Sequence, residues 1–367
     1  LIRHSPCTNR HSLSVCAGYN ISDDKEYIVK SFASDNTAGA HPRILNALAR
    51  ANEGHAAPYG NDPFTAQAQE CFRRIFGEET HVFPVFAGTA ANVLALRGAL
   101  KPWQAVVCSD VAHINVDETG APEAMGGMKL VALPSKNGKL TAACLEPAFE
   151  QIGVVHHAQP GVVSITQVTE YGTVYTPDEV RAIADAVHGR GLLLHMDGAR
   201  IANAAAALGL TLRELTRDAG VDVLTFGGTK NGLFFGDAVV VFDERLAEGY
   251  AYLRKQTGQL CSKMRFISAQ FVELLKDGLW LENARHANAM ASVLAQGLSG
   301  IDAVSITRPV QANAVFACLP ARGVAALQRE YLFNVWDAAT GEVRLMTSFA
   351  TTEDEVAEFV QAVRAAC

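Results

Sequence analysis

Apolar and polar positions follow two rhythms along this chain. Between Ser34 and about Phe242, apolar runs of four to six residues alternate with stretches whose apolar residues recur every three or four positions. The runs are Val82–Phe86, Ala105–Cys108, Lys129–Leu133, Val162–Thr166, Leu192–Met196 and Val221–Phe226. Short continuous apolar runs predict strands buried on both faces. Helices are predicted between them at His41–Ala51, Thr65–Phe76, Val93–Leu100, Pro177–Gly189, Ile201–Leu208 and Thr211–Ala219. Within Thr65–Phe76, the residues Ala68, Cys71, Phe72 and Ile75 share one stripe, the mark of a helix with one buried face. Pro177 opens its helix, and Gly189 and Gly209 close theirs, as proline at a first turn and glycine past a last turn do. Alternating strands and helices predict an α/β fold, a large domain whose mostly parallel sheet is covered by helices.

The rhythm changes beyond Phe242. Two long helical patterns fill Glu244–Thr257 and Met264–Gly297. Short strands are predicted near Ala303–Thr307, Ala314–Cys318, Val335–Asp337 and Arg344–Ser348. A last helix begins at Thr352, with Glu355 three residues on as a capping box. This texture predicts a small C-terminal α+β domain. The expected division is residues 1–30 as a disordered extension, 31–243 as the large domain and 244–367 as the small one.

Composition narrows the function classes. The chain has 367 residues, a net charge of −7 and no basic run longer than two residues, so nothing favours nucleic acid or an anionic membrane as partner. No apolar stretch reaches the roughly 18 residues of a membrane helix. The eight cysteines (7, 16, 71, 108, 144, 261, 318 and 367) are scattered, with no pair at Cys-x-x-Cys spacing. That argues against a zinc site or a disulfide framework and for a reducing, cytoplasmic setting. No metal is expected.

Two of the predicted strands end in chemistry. Leu192–Met196 runs into Asp197-Gly198-Ala199-Arg200, and Val221–Phe226 runs into Gly227-Gly228-Thr229-Lys230. In open α/β sheets, ligands gather outside the carboxyl ends of the strands. An acid and a lysine delivered there suit pyridoxal phosphate: the amine forms a Schiff base with the aldehyde, and the carboxylate pairs with the pyridinium nitrogen. Such a charge pair at about 3 Å is worth roughly 5 kcal/mol at an effective dielectric of about 20, before desolvation. Gly88-Thr89, between a strand and a helix, is a phosphate site by mechanism, because a helix start offers free N–H groups. It lacks the Walker lysine and the triple glycine of nucleotide folds. His113 follows a strand end and is placed to lie on a ring, whereas His195, two residues from Asp197, reads as a core histidine. His156 precedes a strand, the wrong side by sheet logic. Arg344 opens a small-domain strand, and an arginine facing an interdomain cleft suits an amino-acid carboxylate.

Taken in order, these segments resemble the L-threonine aldolase family, pyridoxal-phosphate enzymes of aminotransferase-like fold type I related to β-eliminating lyases. The likeness spans roughly nine-tenths of the chain. It rests on Ser34-Asp35-Asn36, Tyr59-Gly60-Asn61-Asp62-Pro63, Gly88-Thr89-Ala90-Ala91-Asn92, Ala112-His113-Ile114 with Glu118, His195-Met196-Asp197-Gly198-Ala199-Arg200, Thr229-Lys230 and Val343-Arg344-Leu345. The resemblance implies that Lys230 carries the cofactor and Asp197 pairs with its ring nitrogen. It implies that Gly88, Thr89 and Ala90 hold the phosphate, His113 stacks on the ring and Arg200 contacts cofactor-side oxygens. Ser34, Arg344, Arg200, Tyr59 and His156 are implied on the substrate side, with His113 and His156 as the candidate bases. The chain departs from the family in three places: Thr229 and Asn231 flank the lysine where serine and glycine are usual, Gln167-Val168-Thr169-Glu170 replaces a Glu-Asn-Thr segment, and Gln259–Lys263 replaces a Gly-rich stretch.

The implied activity is aldol cleavage of an L-β-hydroxy-α-amino acid of the threonine, allo-threonine or phenylserine type to glycine and an aldehyde. A homo-oligomer, dimer or tetramer, is implied with it. The rivals are a β-eliminating lyase or transaminase on the same scaffold, and a pyridoxal-phosphate-binding protein without lyase turnover.

Overall fold

The computed structural model describes residues 30–367, and the extension expected over residues 1–30 lies outside the described residues save for Lys30. Thirteen strands follow in chain order: β1 (Lys30–Ser31), β2 (His81–Val85), β3 (Gln104–Ser109), β4 (Lys129–Leu133), β5 (Gln159–Thr166), β6 (Leu193–Gly198), β7 (Val223–Gly227), β8 (Asp237–Val241), β9 (Ser305–Ile306), β10 (Ala314–Cys318), β11 (Tyr331–Leu332), β12 (Asn334–Asp337) and β13 (Glu342–Met346). Seven of them form the central sheet, in the order β2-β8-β7-β6-β5-β3-β4. Only β8 runs against its neighbours. All five residues of β7 and of β8 are buried, as a sheet covered on both faces requires.

The six apolar runs all become strands of this sheet. Strand β8 was not foreseen, although Ala238-Val239-Val240-Val241 between Gly236 and Asp243 carries the same signature. It inserts between β2 and β7, pairing Val239 with both Phe83 and Thr225. Helix ends follow local chemistry. Thr176 and Glu179 form a reciprocal capping box ahead of Pro177–His188, and Gly209 closes Ile201–Leu208 in the left-handed conformation, φ 66°. The helix expected from Val93 starts earlier, at Gly88. The long pattern Met264–Gly297 splits into Arg265–Leu275 and Leu279–Ser299. The break falls where Asp277 and Gly278 take positive φ, 54° and 76°, which ends one helix axis and lets another begin.

Strands β12-β13-β10-β9 form a second, antiparallel sheet. It packs with Leu294, Leu298, Val356 and Phe359 in a core separate from that of the central sheet. The helical residues after 243, expected in the small domain, divide differently. Met264, Ile267, Phe271 and Leu274 belong to the core under the central sheet, and Tyr250 packs with Val239 and Val241 of β8. An amphipathic helix joins whichever apolar face lies nearest, which sequence order alone does not determine. At the other end of the described chain, β1 pairs in parallel with β11, so the segment leading to Ser34 starts against the second core. No helix among the described residues is long and apolar enough to cross a membrane.

Candidate active site

Five strands of the central sheet and two of the second sheet converge on a pocket lined by Ser34, Gly88, Thr89, His113, Thr166, Asp197, Arg200, Lys230, Trp336 and Arg344. Asp197 sits at the carboxyl end of β6 with 3% of its surface exposed. Its Oδ2 accepts from Asn92 Nδ2 at 2.8 Å, and its Oδ1 from the Ala199 N–H at 3.0 Å. Asn92 also donates to Glu118 Oε1 at 2.8 Å, and that same oxygen lies 2.9 Å from His113 Nδ1. One polar chain thus links the strand-end acid to the histidine. The Glu118 hydrogen bond raises the His113 pKa against the opposing effect of burial.

Lys230 stands in the turn after β7, where burial and the neighbouring Arg200 charge depress its pKa. The turn is pinned by Asp237, whose Oδ1 accepts from the Gly228 N–H at 2.9 Å. Glycine is required at 227, because any Cβ there would collide with the Ala199 carbonyl. That close approach sets the Lys230 turn against the Asp197 turn. At the end of β2, Ala87 precedes the helix without a side-chain cap. The first backbone bond back along this helix is Ala91 N–H to Ala87 O, which leaves the N–H groups of Gly88, Thr89 and Ala90 ahead of it. Such a helix start is an anion site. Ala90 is not among the residues lining the pocket, so only its backbone N–H is available to such a site.

Arg200 is forked onto Asp35, Nε to Oδ2 at 2.6 Å and Nη2 to Oδ1 at 2.8 Å. That carboxylate holds the guanidinium's pKa up against burial. Asp35 engages Nε and Nη2, and Arg200 lines the pocket beside Lys230. Arg344 on β13 has no such partner among the described residues. Its Nε is buried without a hydrogen bond, its guanidinium lies 4.8 Å from the Trp336 ring centroid, and burial lowers its pKa to about 10. A buried cation without an anion calls for an anionic ligand.

Two expected residues lie elsewhere. His156 is exposed in the turn before β5, at the amino end of that strand and so across the sheet from the pocket. Tyr59 is 47% exposed. It sits under the Lys255 ammonium, 4.6 Å from its ring centroid, with its N–H on Ser262 O at 2.9 Å, outside this chain's pocket. His195 is the expected core histidine, 1% exposed and bonded to Ser164 at 2.9 Å and Thr225 at 3.1 Å. Sequence reasoning assigned no role to Asn92, Glu118, Glu170 or Trp336, all of which line the pocket. Of these, Asn92 was signalled by its place one turn into the helix after Gly88-Thr89.

The residues present fit pyridoxal phosphate: free N–H groups for a phosphate, a buried acid for a ring nitrogen, a depressed lysine for an aldehyde, and an unpaired arginine for the carboxylate of an amino acid. A central seven-stranded sheet with this set at its carboxyl edge defines a pyridoxal-phosphate enzyme of aminotransferase-like fold type I. Comparison with known proteins gives the family. The sequence profile of the beta-eliminating lyase family matches residues 31–321, and the chain belongs to that family. It is 45% identical over 337 residues to a low specificity L-threonine aldolase of a Pseudomonas sp., covering 92% of this chain and 97% of that one. A low specificity L-threonine aldolase of Pseudomonas aeruginosa is 44% identical, over 91% and 97%. The structure of a Leishmania major threonine aldolase superposes with a TM-score of 0.87 at 34% identity, covering 91% of this chain and 98% of that one.

Proposed function

We propose that this chain is a pyridoxal-phosphate-dependent carbon–carbon lyase that cleaves an L-β-hydroxy-α-amino acid, of the threonine, allo-threonine or phenylserine type, to glycine and an aldehyde. The observation that carries the reading is the convergence of Lys230, Asp197 and the unpartnered Arg344 on one pocket. When bound, the cofactor supplies an electron sink for the pair released at Cα. Lys230, with its depressed pKa, is the amine suited to attach it, and Asp197 is placed to keep the ring nitrogen protonated. Asn92 and the Ala199 N–H hold that carboxylate in one orientation. Gly88, Thr89 and Ala90 offer the phosphate site, and His113 is the ring-side aromatic.

On the substrate side, Arg344 and Ser34 are the carboxylate ligands. Fixing the carboxylate fixes which bond at Cα stands perpendicular to the ring, and so separates cleavage from α-proton loss. Product analysis with threonine, allo-threonine, phenylserine and serine tests the reading. Glycine and aldehyde in equal amounts support it. A keto acid and ammonia would favour a β-eliminating lyase, and an absence of product would favour a binding protein.

The enzyme is further proposed to act in the cytoplasm as a homo-oligomer, a dimer or tetramer. Tyr59, Lys255 and Arg254 form a cationic and aromatic face outside the chain's own pocket. Half-buried Arg254 and Arg265 each keep an Nε without a partner among the described residues, which suits a neighbouring chain's anion. Sedimentation of a fully active monomer would count against it.

A further inference from the structure

Glu170 follows β5 and takes no part in the machinery described above. Its Oε1 accepts two hydrogen bonds, from the His113 N–H at 2.8 Å and from the Thr166 hydroxyl at 2.8 Å. Its Oε2 is buried and has no partner, and the residue lines the pocket together with Lys230, His113 and Arg344. One oxygen is therefore anchored twice, and the other is buried without a hydrogen-bond partner among the described residues, on a residue that lines the cavity. Thr166 stands opposite Asp197 in the β5–β6 register, which places this carboxyl beside the strand-end acid.

We propose that Glu170 takes the β-hydroxyl proton through Oε2 when a β-hydroxy amino acid is cleaved in this pocket, an inference that rests on the aldolase reading. The O–H bond breaks toward Oε2, and its electron pair closes the carbonyl of the aldehyde. The pair of the Cα–Cβ bond stays with Cα and is drawn toward the cofactor. Cα then takes a proton from solvent to complete glycine, and Glu170 returns its own proton to water.

The other bases of the pocket are less suited. His113 is bound at Nδ1 by Glu118, and the raised pKa that results favours the imidazolium, a donor. Asp197 has an acceptor bond on each oxygen. Glu118 likewise has an Oε2 buried without a partner among the described residues, but its Oε1 is committed to the His113 ring and to the Asn92 amide that holds Asp197, which suits it to positioning those two groups. His156 is across the sheet. Glu170 itself is pushed up by burial to about 7, against its hydrogen bonds from Thr166 and His113 and with the help of the Asp197 charge. A base with its pKa near the working pH both accepts and returns a proton. The other groups whose charges it feels or perturbs are Arg200, Arg344 on β13, Cys108 on β3 and Tyr175.

The test uses the holoenzyme and Glu170→Gln, which keeps an acceptor for His113 and Thr166. Cleavage of threonine should fall about 10²–10⁴-fold at little change in KM. Exchange of the glycine α-proton, which involves no hydroxyl, should stay within a few-fold. The rise of kcat through about pH 7 should disappear, and Glu170→Asp should restore part of both rate and profile. Infrared titration should show a carboxyl band that disappears near neutrality in the wild type and is missing in Glu170→Gln. Near-normal cleavage with the limb intact would overturn the proposal and leave the aldolase reading standing. Equal loss of cleavage and exchange, with weakened cofactor absorbance, would also overturn it, by making Glu170 a cofactor-holding residue. If wild-type enzyme releases no glycine and aldehyde, the aldolase reading fails and the proposal with it.

Discussion

Replacing Arg344 by methionine should push stability and binding in opposite directions. Burial lowers the pKa of this half-buried guanidinium from 12.5 to about 10. At about 1.4 kcal/mol per pH unit, that drop represents about 3 kcal/mol of unfavourable charge burial in the unliganded protein. The sign follows from which form the fold disfavours. A base whose pKa is lower folded than unfolded carries the full penalty at every pH below about 10, and the penalty vanishes above 12.5. Methionine fills similar space without charge, so the relief is set against the lost contact with Trp336, roughly 0.5–1 kcal/mol. The unliganded variant should therefore unfold at higher temperature. Its substrate should bind worse, because loss of a charge-assisted fork costs about 1.5–3 kcal/mol, or roughly ten- to a hundred-fold in KM. With Arg344 as the proposed carboxylate ligand in both ground state and transition state, kcat should change less than KM. Steady-state kinetics with threonine and thermal unfolding with and without glycine check both halves. An unchanged KM together with a lower melting temperature would refute the reasoning.

Borohydride reduction of the holoenzyme should fix the cofactor on the peptide containing Lys230; a label on any other lysine sinks that assignment. Asp197→Asn should keep the fold and most of the cofactor yet lose turnover, since an amide cannot hold a ring-nitrogen proton; turnover within a few-fold of wild type would contradict the electron-sink role. Burial lowers His195 from 6.5 to about 4, so its neutral form favours the fold, with a contribution complete above pH 6.5 and lost as pH falls through about 4. His195→Gln should therefore flatten the acid loss of stability by about 3 kcal/mol, read from denaturant unfolding at pH 6.5 and pH 4; parallel losses in both proteins would count against it.

The parts of the site that were legible in the sequence are those tied to strand ends. Asp197 and Lys230 could be placed because a buried parallel strand delivers whatever follows it to the carboxyl edge. Gly88-Thr89 obeyed the same logic. His156 shows the converse: it lies before β5, at the amino end of that strand, so strand-end logic does not bring it to the pocket and only the family resemblance puts it on the substrate side. Glu170 was hidden because a carboxylate beside Tyr171-Gly172 looks like a surface turn. Only the fold shows His113 and Thr166 converging on one of its oxygens. Arg200 was found but its partner was not, since Asp35 is 165 residues away and no local pattern announces the pairing. The split of helices between the two cores was equally out of reach, because an amphipathic stripe says that a face is buried without saying against what.

Asp35 has a mechanical consequence. Its carboxylate is shared: Arg200, at the edge of the central sheet, holds both oxygens, and Asn313, just before β10 of the second sheet, donates to Oδ2 at 3.1 Å. The backbone on either side is tied as well, with Met346 N–H on Phe32 O at 2.7 Å and Asn334 on Ala33 O at 2.8 Å. The segment from Lys30 to Asp35 is thus a strap buckled to both halves of the molecule. A rigid swing of one half against the other would pull a buried carboxylate away from a partner, at a cost of several kcal/mol. With the hinge held by the strap, any widening of the pocket beside Trp336 and Arg344, which line it, is left to side-chain motion.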